Sequence, residues 1–279
     1  MARLAVVVVS YNSRRDLDPC LSALTVTPPR TTLDLVVVDN ASTDGTADHL
    51  RAAWPRIGLL DAGANLGFAK ANNLGIRQTT NELVLLLNPD TVVGVGAIDT
   101  LVDALDADAG VAIAGPRIVD GNGRAELSWG PMLTPASELT QKLLVGGNDR
   151  GWPPVVATVE RRTRRRRCVD WVSGACLLIR RADLEAVGLL DERYFMYEED
   201  VDLCAAVRRR GRRVLFEPAA QIVHHRGRSA ASIPGPTQQA YRRSHLAFYR
   251  KHHPRWARWL ELYLTLRRQL PDTTDQGRL

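Results

Sequence analysis

Cysteine is scarce in this sequence and forms no recognisable site. Among 279 residues there are four cysteines, with no CxxC pair and no metal-like clustering: Cys20, Cys168, Cys176 and Cys204. The spacing argues against a thiolate metal site, and we expect reduced thiols in a cytosolic protein.

Long apolar runs are also missing. No window reaches the roughly 18 uninterrupted apolar residues that a membrane span requires. The N-terminal stretch, MARLAVVVVSYN, has one basic residue, a short apolar run and no small-residue cleavage site. It therefore does not predict a secretion signal, and we expect a cytoplasmic protein.

A Gly-rich loop is absent after the first apolar run, where the sequence is SYNSRRD. A sugar nucleotidyltransferase usually carries a Gly-rich loop with Arg and Lys at this position. That class, which combines a nucleotide-binding α/β sheet with an Asp-bound metal, is therefore disfavoured.

The excess of positive charge is small. The chain has 37 Lys and Arg against 31 Asp and Glu, a formal charge of +6, and most of the excess lies late in the sequence. Nucleic acid, anionic lipid or a diphosphate ligand would each suit this balance. With 45% hydrophobic residues, the chain can build the core of one large α/β domain.

What the sequence does contain, up to about residue 116, is a regular alternation of strands and helices. The pattern predicts βαβ units and a parallel sheet, which is the α/β class. The predicted strands are Leu4–Val9, Leu33–Val38, Ile57–Asp61, Glu82–Leu87 and Val111–Ile113, and the predicted helices are Asp16–Leu24, Thr46–Ala53, Lys70–Thr79 and Ile98–Leu105.

The pattern changes after residue 116. Residues 117–167 are rich in Gly, Pro and Trp, end in the basic cluster ERRTRRRR, and predict variable loops with one helix at Ser137–Val145. The segment VDWVSGACLLIRR predicts a strand pair or a strand followed by a turn. Helices are predicted at Ala182–Val187 and Asp200–Arg209, and the tail from Gln238 to Leu270 is amphipathic, with Trp, Tyr and Leu among Arg residues.

Polar residues follow the first two predicted strands, where ligands bind in doubly wound sheets. Ser10, Tyr11 and Asn12 follow the first strand, and the segment DNASTDG, residues 39–45, follows the second. Asp39 can accept a hydrogen bond from a pyrimidine N–H, and Tyr11 can offer its ring to the base. The same residue types start turns and cap helices, so both roles stay open at this point.

Two further motifs suit a diphosphate. In NLGFAKANN, residues 65–73, Gly67 permits a tight backbone and Lys70 can face a phosphate, although the segment also suits a loop that enters a helix. In LLLNPD, residues 85–90, a buried strand delivers Asp90 at its carboxyl end. One carboxylate there can bind a hard divalent cation together with waters and diphosphate oxygens, although Asn-Pro-Asp is also a common turn.

The last two motifs are YEEDVD, residues 197–202, and HHRGRS, residues 224–229. Four acidic groups within five residues repel one another, which indicates a nearby cation or a raised pKa suited to a general base. A helix N-terminus that attracts acids through its dipole is the structural alternative. For His224 and His225, the alternative is an ordinary hydrogen-bonded histidine.

In this order the motifs resemble those of family-2 glycosyltransferases of the GT-A fold, particularly the rhamnosyltransferase-like branch. They span roughly residues 4–230: VVVVSYN, VVVDNASTDGT, NLGFAKANN, LLLNPD, VDWVSGACLLIRR, LLDERYFMYEEDVDLCAAVRRRG and HHRGRS. The stretch YRRSHLAFYRKHHP is similar to that branch's C-terminal helix. The resemblance implies a GT-A (Rossmann-like) domain with a mostly parallel sheet at 1–230 and a C-terminal helical extension at 231–279. Within the domain, residues 1–116 would bind the nucleotide sugar and residues 117–230 would carry the acceptor and catalytic groups.

By this resemblance, Asp39 binds the base of the donor and Asp90 holds Mg²⁺ or Mn²⁺ on the diphosphate. Asn88 stands where many relatives carry the first aspartate of the motif. His224, or alternatively His225, completes the metal site. The implied donor-binding set is Ser10, Tyr11, Asn12, Asp39, Asn65, Gly67, Lys70 and Asn88.

The acceptor side follows from the same resemblance. Asp200 is the expected catalytic base, with the adjacent Glu199 as the alternative. The acceptor side is expected to be lined by Trp171, Gly174 and Ala175.

The implied reaction is a metal-dependent, inverting sugar transfer. The resemblance favours dTDP-rhamnose as donor and a saccharide or polyprenyl-diphosphate-linked glycan as acceptor, in cell-surface polysaccharide synthesis. A UDP-hexose donor stays open. Contact with the inner face of the membrane, through the basic cluster at 161–167 or the Trp- and Arg-containing tail, is a further expectation.

A different class of function is a non-catalytic basic protein that binds a membrane surface or nucleic acid. It would not account for YEEDVD or for carboxylates placed after successive strands. We therefore expect an enzyme, and no nucleic-acid partner.

Overall fold

The N-terminal part of the chain alternates strands and helices as predicted. A computed structural model describes residues 2–225 and 234–271, with side chains in the second range described from residue 238. Each predicted element is present, with bounds shifted by a few residues. The elements are β1 Leu4–Ser10, α1 Arg14–Thr25, β2 Leu33–Asp39, α2 Thr46–Ala53, β3 Gly58–Asp61, α3 Gly67–Arg77, β4 Leu83–Leu87, β5 Thr91–Val93, α4 Ala97–Asp106 and β6 Val111–Val119.

The remainder of the chain is more ordered than the sequence indicated. Its elements are β7 Trp129–Gly130, α5 Pro135–Asp149, α6 Pro153–Arg162, β8 Arg167–Val169, β9 Trp171–Val172, β10 Cys176–Arg180, α7 Arg181–Ala186, α8 Glu199–Arg209, β11 Arg213–His224, α9 Pro234–His252 and α10 Pro254–Leu266. No helix among these described residues has both the length and the apolarity of a transmembrane span.

Two predictions for this region were wrong. Residues 117–167 contain two helices rather than one, and the first residues of the basic cluster lie in α6 instead of a loop. Each helix has a proline in its first turn, a position where the missing N–H costs nothing. Thr134 and Ser137 also form a capping box at the start of α5. Strand β11 was not predicted, because Pro218 and a register shift between Glu217 and Gln221 interrupt its pattern.

One sheet organises the molecule, with strand order β3-β2-β1-β4-β10-β6-β11-β5 and β8 paired to β11. Six strands run in one direction, and β5, β8 and β10 run the opposite way. Every residue of β1 and β4 is buried, because helices cover both faces of the sheet. The prediction of an α/β fold with a mostly parallel sheet is confirmed.

The topology brings distant segments to one sheet edge. Strands β1, β2 and β4 end side by side at Ser10, Asp39 and Leu87. Strand β10 enters antiparallel with Cys176 opposite Leu87, so residues 173–175 lie at the same edge. Strand β11 ends there too, with His224 opposite Thr91 of β5.

The C-terminal helices pack beside this edge. A small separate core joins residues of α9 and α10 to α8 and to the segment before α5: Leu133, Tyr194, Val201, Phe248, Tyr249 and Ala257. The extension therefore contacts the part of the chain that carries YEEDVD.

Candidate functional site

The ends of β1 and β2 form an interlocked pair of loops. Asn12, in a left-handed conformation with φ of 52°, accepts the Thr43 amide hydrogen at 2.8 Å and donates its own amide to Ser42 Oγ at 2.9 Å. The Asn40 amide donates to the Ser10 carbonyl oxygen at 2.8 Å. Because the contacts run between the two loops, the strand ends present one common surface, with Tyr11 half-buried on it.

Asp39 has an acceptor atom free for a ligand. One of its carboxylate oxygens accepts the Ser42 amide hydrogen at 3.1 Å. The other oxygen is buried and has no hydrogen-bond partner among the described residues, and the same is true of Ser10 Oγ. Burying a carboxylate oxygen without a hydrogen-bond partner costs free energy. A ligand that donates a hydrogen bond to this oxygen, such as a base N–H, would therefore be stabilised here.

The loop before α3 is tied to this surface through Asn40. The Asn40 side chain donates to Asn65 Oδ1 at 2.8 Å and accepts the Leu66 amide hydrogen at 2.8 Å. Asn65 Oδ1 also accepts the Gly67 amide hydrogen at 3.1 Å. Lys70 is exposed on α3 and, within the described part of the chain, has no hydrogen bond or ion pair to the strand ends.

Gly67 makes the close contact between the two halves of the sequence. Its φ is 77°, and a Cβ atom there would lie 2.3 Å from the Phe195 carbonyl oxygen. That oxygen accepts the Phe68 amide hydrogen at 2.6 Å. Only glycine allows the backbone of α3 to approach the loop before α8 so closely.

Asp90 and His224 meet where β5 pairs with β11. Asp90 Oδ1 lies 3.1 Å from His224 Nε2, and both side chains are largely buried. His225 donates its backbone amide to the Asp90 carbonyl oxygen, at 2.8 Å, and its ring lies beside Gly121. Of the two histidines, His224 is therefore the one placed at the carboxylate.

Glu126 is the second carboxylate at His224, with Oε2 3.7 Å from Nδ1. Burial lowers the pKa of His224, but hydrogen bonds to Asp90 and Glu126 raise it more, to about 9. The histidine is held by a carboxylate on each side of its ring, which fixes its orientation.

The donor set suits a divalent cation. Two neighbouring ligands of an octahedral ion with bonds of about 2.1 Å lie about 3 Å apart, which matches the separation of Asp90 Oδ1 and His224 Nε2. Among the described residues, no three His, Cys, Asp or Glu side chains form a cluster for a metal ion. An ion here would therefore need waters or diphosphate oxygens as further ligands, as Mg²⁺ usually does.

Asn88 connects the neighbouring segments through hydrogen bonds of its backbone. Its amide donates to the Ala175 carbonyl oxygen at 3.0 Å. Its carbonyl oxygen accepts the Thr91 hydroxyl hydrogen at 2.7 Å. The predicted donor residue Asn88 and the predicted acceptor residue Ala175 are thus in direct contact.

The predicted acceptor loop, residues 171–175, is tied to α8 through Asp200. Its Oδ2 accepts the Gly174 amide hydrogen at 2.7 Å, and its Oδ1 accepts the Val201 amide hydrogen at 2.8 Å. A Cβ atom on Gly174 would lie 3.3 Å from Asp200 Cβ. Trp171, at the start of the loop, donates from its indole to the Pro131 carbonyl oxygen at 2.9 Å.

The two neighbouring acids differ in their surroundings. Burial raises the pKa of Asp200 to about 6, although the Gly174 amide opposes the shift. Burial and the charge of Asp200 raise the pKa of Glu199 well above its ordinary value. Glu199 Oε2 is buried and has no hydrogen-bond partner among the described residues. With a pKa of about 6, Asp200 is mostly ionised at neutral pH, whereas burial and the charge of Asp200 favour the protonated form of Glu199.

Three residues near the site were missed by the sequence analysis: Asn40, Glu126 and His245. Asn40 lies inside a recognised motif, but its structural role depends on the neighbouring loop. Glu126 lies in the segment that was predicted as variable loops. His245 belongs to the recognised C-terminal helix, and only the fold shows that its ring reaches Glu198.

Comparison with known proteins decides the family. The family described as Glycosyltransferase like family 2 matches residues 2–258. The chain belongs to this glycosyltransferase family. The N-acetylglucosaminyl-diphospho-decaprenol L-rhamnosyltransferase of Mycobacterium tuberculosis is 33% identical over 274 residues, covering 91% of this chain and 86% of the relative. The dTDP-rhamnosyl transferase RfbF of Shigella flexneri is 26% identical, covering 90% and 81%.

Solved structures share the fold of this glycosyltransferase. A mannosyltransferase of Pyrobaculum calidifontis, in complex with GDP-Man and Mn²⁺, gives a TM-score of 0.61 at 22% identity, covering 97% of this chain and 72% of that chain. GalNAc-T7 with UDP, GalNAc and Mn²⁺ gives a TM-score of 0.61 at 17% identity, covering 88% and 48%. The GT-A fold and the resemblance to rhamnosyltransferases are confirmed.

Proposed function

We propose that this glycosyltransferase transfers rhamnose from dTDP-rhamnose, with inversion, to a hydroxyl of a saccharide or polyprenyl-diphosphate-linked glycan. The two rhamnosyltransferase relatives support the sugar, and the name of the mycobacterial one supports a lipid-linked acceptor. The observation that carries the proposal is the meeting of three groups at one sheet edge. These are the unpartnered oxygen of Asp39, the Asp90–His224 pair and the amide-anchored Asp200.

On the donor side, the free Asp39 oxygen would accept the N–H of the pyrimidine base, beside the ring of Tyr11. Thymine and uracil share that N–H, so a UDP-hexose is the second candidate donor. Ser10, Asn12 and Asn65 would hold the loops that surround the nucleotide.

The proposed metal is Mg²⁺ or Mn²⁺, held by Asp90 and His224. Their separation of 3.1 Å supports this assignment. When bound, the ion would neutralise the charge that develops on the leaving diphosphate. Glu126 would orient His224 from the far side of its ring.

Asp200 is the proposed general base. It would take the proton from the acceptor hydroxyl as that oxygen bonds to the anomeric carbon. The bond between the anomeric carbon and the diphosphate oxygen breaks, and the nucleoside diphosphate leaves with the electron pair. One such displacement inverts the anomeric configuration and needs no covalent intermediate.

The surroundings of the two acids support Asp200 over Glu199. A base must be ionised and within reach of the substrate. Asp200 has a pKa of about 6 and adjoins the acceptor loop at Gly174. Glu199 is buried, and this burial favours its protonated form. Trp171, Gly174 and Ala175 would then line the acceptor side.

The first experiment is a thermal-shift panel of dTDP, UDP, GDP and their sugars with Mn²⁺, Mg²⁺ or EDTA. A nucleotide at 100 times its Kd should add about 2.7 kcal/mol to the free energy of unfolding. We expect stabilisation by dTDP or UDP that needs the metal and disappears in Asp90→Ala. The control is Asp48→Ala, which removes an exposed carboxylate on α2.

The outcome of this panel separates the candidates. A response to dTDP and dTDP-rhamnose supports rhamnosyl transfer, and a response restricted to UDP-sugars supports the second candidate. If no nucleotide stabilises the protein under any metal condition, the proposed donor site is wrong.

A further inference from the structure

Helix α10 carries a row of exposed apolar side chains. Trp256, Trp259, Tyr263 and Leu266 are 51%, 66%, 52% and 76% exposed, and Leu262 is 50% exposed. On the opposite side of the helix, Ala257 and Leu264 are buried, and Ala257 belongs to the small core shared with α9. The helix is therefore fixed to the protein by one face and leaves an apolar face in solvent.

The exposed residues form one continuous stripe. With about 100° of rotation per residue, the five side chains from Trp256 to Leu266 fall within an arc of roughly 120°. Arg258 lies at one margin of this arc and Arg267 at the other, and both are exposed. An apolar stripe edged by arginines is the arrangement of helices that lie in a membrane interface.

The charge of the extension points to the chemistry of the partner. Residues 238–271 contain eight Lys and Arg and one acid, a formal charge of +7, whereas the whole chain carries +6. The single acid, Glu261, is paired with Arg250 at 2.7 Å. Four exposed arginines lie on α10 or just after it: Arg255, Arg258, Arg267 and Arg268. The face around α10 is therefore cationic, and two copies of it would repel each other.

We propose that this face of α10 docks on the surface of a bilayer that contains anionic phospholipid. Trp and Tyr side chains prefer the headgroup region, and arginines beside them attract anionic lipid. The helix would lie along the surface, since its 13 residues are too few to cross a bilayer. Docking would hold the neighbouring acceptor side close to a lipid-linked acceptor.

The test is co-sedimentation with vesicles of phosphatidylcholine, with and without phosphatidylglycerol. We expect the wild type to bind only the anionic vesicles and to release as salt rises. Trp259→Ser with Leu266→Ser should lower the partition coefficient by about tenfold or more. Leu139→Ser with Leu143→Ser is the matched control, because it removes two apolar side chains on α5 that are 62% and 66% exposed.

A second pair of variants locates the charge effect. Arg255→Gln with Arg258→Gln should weaken binding to anionic vesicles. Arg161→Gln with Arg162→Gln, in the basic cluster at the end of α6, should leave it unchanged.

The proposal is overturned if the wild type does not bind anionic vesicles or if the α10 apolar variant binds as the wild type does. A concentration-dependent dimer that α10 substitutions abolish, without vesicle binding, would overturn it in favour of a second copy. No sugar or nucleotide enters these assays, so they are independent of the proposed function.

A separate observation concerns His245 on α9. Its ring is buried between two carboxylates from other elements: Nδ1 lies 3.0 Å from Glu198 Oε1, and Nε2 lies 3.3 Å from Glu138 Oε2. Tyr249 donates its hydroxyl hydrogen to Glu138 at 2.5 Å, and the Tyr241 ring stacks on the imidazole with centroids 5.4 Å apart. One side chain thus joins α5, α9 and the residue that precedes α8.

The segment joined in this way is strained. Tyr197 and Glu198 are consecutive residues in the left-handed region, with φ of 71° and 69°, and neither is glycine. Such conformations persist only where surrounding contacts hold them. Glu198 is held by His245 and is followed directly by Glu199 and Asp200.

We infer that His245 is a positioning residue that fixes Asp200 through Glu198, an inference that rests on the proposed role of Asp200. The test compares His245→Gln with His252→Gln. His252, on the same helix, lies 2.6 Å from Asp202 of α8 and anchors the extension through a different carboxylate. His245→Gln should lower kcat by about 10- to 100-fold with an unchanged KM for the donor, and His252→Gln should affect mainly thermal stability.

The same pair separates positioning from simple docking of the helix. The His245 ring faces four titratable groups: Glu138, Glu198, Tyr241 and Tyr249. Its replacement changes the electrostatic surroundings of Glu198, so His245→Gln should also shift the acidic limb of the kcat–pH profile. Equal losses of kcat in the two variants, or an unchanged kcat in His245→Gln, would overturn the inference. An active Asp200→Asn would instead contradict the proposed function.

Discussion

The two halves of the molecule bring groups to the same sheet edge by different means. In residues 1–116, polar residues follow buried parallel strands and are held by hydrogen bonds between adjacent loops, as between Asn12 and Thr43. After residue 116, buried charges are paired across long sequence separations, as in Glu138–His245–Glu198 and Asp202–Lys251. The proposed donor side is thus held by hydrogen bonds between neighbouring loops, whereas the proposed acceptor side depends on the docking of several distant segments.

The largest effect should come from Asp200→Asn. It removes the proposed base and keeps the shape of the side chain, so turnover should fall by roughly 10²- to 10⁴-fold. Donor binding should stay intact, because the nucleotide would be held by the other half. Product formation and nucleotide-induced thermal shift, measured on the same preparation, test this. Wild-type turnover in the variant would remove Asp200 from the reaction.

Glu126→Gln tests an acidic residue of the second half that contacts His224 at the proposed metal site. It leaves both proposed ligands in place but removes a carboxylate at His224 Nδ1. Loss of such a support should weaken metal binding by about 10- to 100-fold. Titration of Mn²⁺ in the presence of dTDP measures this, with the exposed Glu185→Gln as control. Unchanged metal affinity would show that Asp90 orients His224 unaided.

Gly67→Ala should disrupt the contact between the two halves of the molecule. The new methyl group would meet the Phe195 carbonyl oxygen, and we expect a loss of about 1–3 kcal/mol in the free energy of unfolding beyond the backbone cost. Gly63→Ala is the matched control, because Gly63 has φ of 70° but open space around its Cβ position. Urea unfolding of both variants gives the difference. Equal destabilisation would mean that the contact with Phe195 adjusts without cost.

The comparison also explains which parts of the structure could be predicted from sequence. The strands from Leu4 to Leu87 are continuous apolar runs between helical segments, so periodicity located them and their polar ends. The order of the recognised motifs identified the family that the comparisons confirm. The helix beginning at Pro153 and the strand ending at His224 were missed, because a basic cluster and a bulge at Pro218 obscured their patterns.

The ion pairs of the second half lay beyond prediction for a different reason. Glu126 and His224 are 98 positions apart in the printed sequence, and nothing local links them. His245 and Glu198 meet because α9 packs against α8 and pairs with Glu138 of α5. Long-range pairs follow from tertiary packing, so a single sequence shows the groups but not their partners.

The smallest expected effect is the pH dependence of turnover. It distinguishes titration of Asp200 from titration at the proposed metal site. Asp200, with a pKa of about 6, is mostly ionised at pH 7 and mostly protonated at pH 5, so turnover should fall about tenfold across that range. Protonation of His224 would also weaken metal binding as the pH falls, because the ligand must be neutral. Saturating Mn²⁺ suppresses this second effect, so an acidic limb that persists near pH 6 at saturating metal reports the base. If the acidic limb moves to lower pH as the Mn²⁺ concentration is raised, the titration belongs to the proposed metal site at Asp90 and His224 instead. Because burial of the charged form opposes folding, Asp200→Asn should unfold at higher urea than the wild type at pH 7. This advantage should shrink as the pH falls below about 6 and disappear only near the unfolded-state pKa of about 3.9.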